Sequence, residues 1–76
     1  MSELKEYRYA HKVPADVWKL YLEQDQLALF VEDIGWKAIH VARDDGVHKV
    51  RDVRFFITDN TEFITVEVTL LYVSSL

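Results

Sequence analysis

Cysteine is absent from the 76-residue chain, and proline occurs once. Without cysteine there is no disulfide, no thiolate nucleophile and no zinc–thiolate site. Small domains in oxidising compartments are usually stapled by disulfides, so a reducing, cytoplasmic location is expected. The only glycines are Gly35 and Gly46, which leaves no glycine-rich phosphate loop. Serine is confined to Ser2, Ser74 and Ser75, which suits no nucleophile elbow. The longest apolar run, Leu27–Val31, is far short of the about 20 residues of a membrane span. Met1 to Lys12 is charged and aromatic, unlike the apolar stretch of a secretory leader. Positive charge is also scarce. The formal net charge is −4, which argues against nucleic acid as a partner, since phosphate neutralisation needs Lys and Arg.

What is abundant is apolar surface. Half the residues are apolar, among them four Phe, four Tyr and two Trp. That suffices for one compact core in a single domain over residues 1–76 and is too much for a disordered chain.

The periodicities predict an α+β domain of order β-α-α-β-β. Tyr7, Tyr9, His11 and Val13 alternate with Glu6, Arg8, Ala10 and Lys12, which reads as a strand over 4–13. Pro14 stops it and suits the first position of a helix over 14–24, with Val17, Leu20 and Tyr21 as its stripe. Asp25 is expected to cap a second helix over 26–43, on which Leu27, Phe30, Val31, Ile34, Ala38, Val41 and Ala42 keep helical spacing. An alternative takes 27–32 as a strand, but seven positions fit the helical stripe. Gly46 can take the left-handed conformation that closes this helix, and Gly35 within it marks a kink or a close contact.

Strands over 50–58 and 63–73 follow, joined by a polar loop as a hairpin. A four-residue loop, Asp59–Glu62, pairs Ile57 with Ile64, Phe55 with Val66 and Val53 with Val68 on the inner face. It also sets Arg54 opposite Glu67 on the outer face. The expected architecture is a three-stranded antiparallel sheet with two helices packed on one face.

No catalytic or metal motif emerges, so no catalytic residue, metal or cofactor is expected. His11, His40 and His48 have no ligand spacing. Asp44 and Asp45, with Arg43 and His40, read as a solvated helix terminus, and Glu32-Asp33 as the polar face of the same helix. Lys49, Arg51 and Arg54 read as a mixed-charge edge strand. Two features stand apart. Phe56 and Phe63 fall on the outer face of the hairpin with Leu71 and Val73, and Trp18 and Trp36 lie off the helix stripes. Surplus aromatic surface points to a partner.

The expectation is therefore a non-enzymatic protein–protein interaction module: a small regulator or inhibitor, of the general character of phage and mobile-element accessory proteins, that binds another protein and forms a homodimer. Its interface residues would be Phe56, Phe63, Arg54, Glu67 and Leu71. The alternative is a ligand-binding domain or small enzyme. Its pocket would lie between sheet and helices, lined by Tyr7, Tyr9, Trp18, Tyr21 and Trp36, with His11 or His40 as the polar group. A weaker third option is nucleic-acid binding through Arg8, Lys49, Arg51 and Arg54.

Overall fold

The computed structural model describes residues 3–74. Strand β1 (Leu4–Pro14) leads through helices α1 (Ala15–Glu23) and α2 (Leu27–Asp44) to strands β2 (Val50–Asp59) and β3 (Phe63–Val73). The sheet is antiparallel in the order β1-β3-β2, so the last strand is central and β1 and β2 are both edges. The expected element order and fold class hold, with every boundary within one residue of the pattern that period and turn residues imply, apart from Pro14, which ends β1.

Pro14 is extended (φ −55°, ψ 141°) and serves as the N-cap of α1. A fixed φ near −65° and a missing N–H suit the point where a strand becomes a helix. The Ala15 N–H donates to the Glu62 carbonyl, tying the start of α1 to the hairpin turn.

Asp25 does not cap α2. The N-cap is Gln26, with no side-chain capping bond. Asp25 instead closes α1 in the left-handed conformation (φ 56°). Its N–H donates to the Leu22 carbonyl, and the Gln26 N–H to the Tyr21 carbonyl. That double bond pattern is a Schellman closure. Gly46 (φ 93°) closes α2 in the same way, with Gly46 bonded to Arg43 and Val47 to Ala42.

The core lies between α2 and the sheet. Ile34, Ala38 and Ala42, spaced by four, are buried against Val66, Val68 and Leu70 of β3, with Val13 and Val47 at the margins. Alanines at 38 and 42 let the helix approach closely. Tyr7 and Tyr9 pack around this cluster from β1. In α1 the expected stripe is rotated. Val17 and Leu20 are exposed, while Trp18 packs on the core and Tyr21 stacks on Phe30 (centroids 4.2 Å apart). In a nine-residue helix, stripes one position apart satisfy the same spacing, and the bulkier indole takes the inward-facing, partly buried one.

The hairpin faces are as expected, but the register is displaced by two. Asp59 remains in the strand and pairs with Ile64, so Ile57 opposes Val66, Phe55 opposes Val68 and Val53 opposes Leu70. Arg54 therefore faces Thr69 rather than Glu67, which faces Phe56. Asn60 sets this turn: its N–H donates to the Phe63 carbonyl, and its amide oxygen accepts from the Thr61 N–H at 2.7 Å. A displacement of two leaves each side chain on its face, because the strand period is two.

One correction matters for function. Phe55 and Ile57 face the helix side but are not core: they are 41% and 48% exposed. α2 lies over β3 and β1 and covers β2 only in part, at Val50, Val53 and one side of the Phe55 ring. The molecule is elongated, 45 × 20 × 19 Å, with a radius of gyration of 14.0 Å, because strands of 10 and 11 residues, at about 3.3 Å per residue, are long for a sheet three strands wide. A compact chain of this length would have about 11 Å.

Candidate interaction surface

The outer sheet face is organised in rows across β1, β3 and β2. Ala10, Glu67 and Phe56 form one row, Arg8, Thr69 and Arg54 the next, then Glu6, Leu71 and Asp52. Arg54 and Glu67 thus adjoin Phe56, which is 67% exposed, while Leu71 lies two rows away, four residues along β3 from Glu67. Phe63, 42% exposed, is set apart beside Pro14, four residues along the strands from the Phe56 row, or about 13 Å.

Charge on this face cancels locally. Arg8 pairs with Glu6 at 3.2 Å and Arg54 with Asp52 at 3.3 Å, all four side chains well exposed. Such pairs contribute little to stability. Their effect is to break up the positive field that Arg8 and Arg54 would offer a phosphate backbone.

A second surface lies on the opposite side of β2. Glu32, Gly35, Trp36, Ile39, Val53 and Phe55 line an open, mostly apolar groove of about 250 Å³ between α2 and β2. Trp36 is 56% exposed, and Leu29, 65% exposed, lies seven residues earlier on the same line of the helix. Gly35 explains itself here. A Cβ at this position would meet the Phe55 ring at 2.8 Å, so only glycine lets the ring seat on the helix. The glycine within a helical run and Trp36 off the helix stripe were the sequence signals of this groove.

The residues proposed for a pocket between sheet and helices do not converge. Tyr7, Tyr9 and Trp18 surround the core, Tyr21 stacks on Phe30, and Trp36 lines the separate groove. His40 is exposed on α2, His11 is half-buried on β1, and His48 is exposed in the loop after α2. Among the described residues no three His, Cys, Asp or Glu side chains come together to hold a metal.

Tyr7 donates its phenol hydrogen bond to the carboxylate of Asp45, which joins β1 to the end of α2. That bond first, then partial burial and the carboxylate charge, hold the Tyr7 phenol above its usual pKa. A raised phenol is the reverse of what a base at neutral pH requires. No described helix is long and apolar enough to cross a membrane.

Comparison with protein-family profiles, with curated proteins and with solved structures gives no match.

Proposed function

We propose that the chain is a non-enzymatic protein-interaction module, a small cytoplasmic regulator or inhibitor that works by occupying the surface of another protein. The observation that carries this reading is the apolar surface on both sides of β2: Phe56 outside, and Phe55, Ile57 and Trp36 on the helix side, all more than a third exposed. Large exposed apolar side chains gathered on one edge of a small chain favour an interface. The outer patch has an interface's composition, an aromatic anchor (Phe56) beside Arg54 and Glu67, with Leu71 two rows further along.

The test compares the immobilised wild-type chain with Phe56→Ser and Phe63→Ser chains as bait in a lysate of the source cells, with circular dichroism to verify folding. Proteins retained by the wild type should be lost, tenfold or more, with folded variants, corresponding to at least about 1.4 kcal/mol of binding. Equal retention by all three would refute the reading. The α2–β2 groove supports a second reading, a site for a small apolar ligand. Such a ligand would raise the melting temperature of a monomer.

A further inference from the structure

We infer that the occupant of the α2–β2 groove is a second copy of this chain, joined edge to edge through β2 in an antiparallel, two-fold symmetric pair. This rests on the interaction-module reading and gives it a specific partner. The first argument is hydrogen bonding. The Asn60 N–H bonds the Phe63 carbonyl, so residues 60 and 63 are a hydrogen-bonded pair of the ladder. By the alternation of antiparallel strands, Arg54, Phe56 and Thr58 bond β3, while Val53, Phe55, Ile57 and Asp59 turn their N–H and C=O groups to the open side.

That open edge is poorly defended. From Phe55 to Thr58 it carries no charge and no proline, its charges (Arg51, Asp52, Arg54 and Asp59) lying to either side, whereas on β1 charge recurs at Lys5, Glu6, Arg8 and Lys12 and the strand ends in Pro14. Charge and proline are the usual devices that stop strand edges from pairing.

The third argument is register. With the two-fold axis at Phe55, the ring faces its own copy and Val53 faces Ile57 of the second copy, all within the regular part of β2. On the outer face Arg54 lies against Phe56 of the second copy, a cation beside an aromatic ring. Moving the axis one residue towards Arg54 sets two Arg54 guanidinium groups against each other. Moving it towards Phe56 sets Val53 against Asp59. Of the three, only the first register joins apolar to apolar without setting like charges together or a carboxylate against an apolar side chain.

The fourth is space. In the resulting six-stranded sheet all four helices lie on one face. The two β3 strands stand three strand spacings apart, about 14 Å. Helices in direct contact stand 8–10 Å apart. The two α2 helices over those strands would leave a trough that the exposed Trp36, Phe55 and Ile57 side chains of both copies fill.

Because the chain has no cysteine, single cysteines read out this geometry. Paired Cα atoms in a hydrogen-bonded antiparallel position are about 5.5 Å apart, within disulfide reach. The wild type should sediment at twice the 9.0 kDa chain mass at micromolar concentration. Phe55→Cys should oxidise to a covalent dimer, while Ile57→Cys and Phe63→Cys should stay monomeric on denaturing gels. If Phe55→Cys fails to fold, a mixture of Val53→Cys and Ile57→Cys chains should cross-link where neither does alone. A wild type that stays monomeric up to millimolar concentration would overturn the pairing and leave the lysate test of the outer face unaffected. Cross-linking through Phe63→Cys instead would overturn the β2 register, placing self-association on the outer face.

Discussion

Replacing Gly35 by alanine sets two known effects against each other at one atom. Alanine within a helix is favoured over glycine by about 1 kcal/mol. Its Cβ, however, would lie 2.8 Å from Cζ and 3.2 Å from Cε1 of Phe55. Carbon–carbon contacts settle at about 3.5–4.0 Å, so the ring must retreat by about 0.7 Å or more. It has room to do so, because Phe55 is 41% exposed. Full burial of such a side chain contributes about 1.5–3 kcal/mol, so losing about a quarter of it removes roughly 0.5 kcal/mol. The net gain from Gly35→Ala should be about 0.5 kcal/mol. In a Phe55→Ala background, where no ring stands in the way, the same substitution should give the full gain of about 1 kcal/mol. Urea denaturation of the four chains at one protein concentration closes the double-mutant cycle. With a slope near 1 kcal/mol per molar, the expected coupling of about 0.5 kcal/mol is a midpoint difference of roughly 0.5 M. An identical gain in both backgrounds would show that the ring does not seat on Gly35. A loss above about 2 kcal/mol in the wild-type background would show that the ring is fixed, contradicting the freedom read from its exposure.

Two further outcomes follow from the helix ends. Asp25→Gly should raise stability by about 0.5 kcal/mol, because left-handed backbone strains a residue with a Cβ, while Asp25→Val should lower it by about 1 kcal/mol or more. Equal melting temperatures for the three chains would refute the left-handed closure. Tyr7 holds its proton more tightly folded than unfolded. As pH rises past the phenol's ordinary value of 10.0 the unfolded chain ionises first, so stability falls through the interval up to the raised folded value. Urea midpoints taken across this interval should fall less steeply for Tyr7→Phe than for wild type, and parallel slopes would remove the Asp45 bond from the account.

The sequence made legible what period alone determines. The elements were readable because Tyr7 to Val13 and Ile64 to Tyr72 alternate and Ile34, Ala38 and Ala42 recur by four. The faces of the hairpin followed from the same alternation. Its register did not, since Ile57 opposite Ile64 and Ile57 opposite Val66 are equally apolar, and the choice lay in the backbone of Asn60. Periodicity was also silent on strand order. Phe55 and Ile57 have the pattern of core residues, but whether helices cover them depends on which strand is central, and β3 took that place. The outer patch of Arg54, Phe56, Glu67 and Leu71 could be read from parity, whereas the α2–β2 groove depends on how far α2 reaches across the sheet. Trp18 shows the same limit on α1: two overlapping stripes fit the spacing, and tertiary packing chose between them.

The central place of β3 has a consequence for how the molecule is made. β1 and β2 never touch, and each pairs only with β3, the last element described. While a ribosome is still short of residue 63, neither strand has a neighbour, and the emerging polypeptide can assemble no more than its helical hairpin. The pairing of Leu4 with Val73 then spans almost the whole described chain, a closure that slows folding. Until β3 emerges, the apolar strands wait unpaired, and a nascent chain in that condition is a natural client for a chaperone.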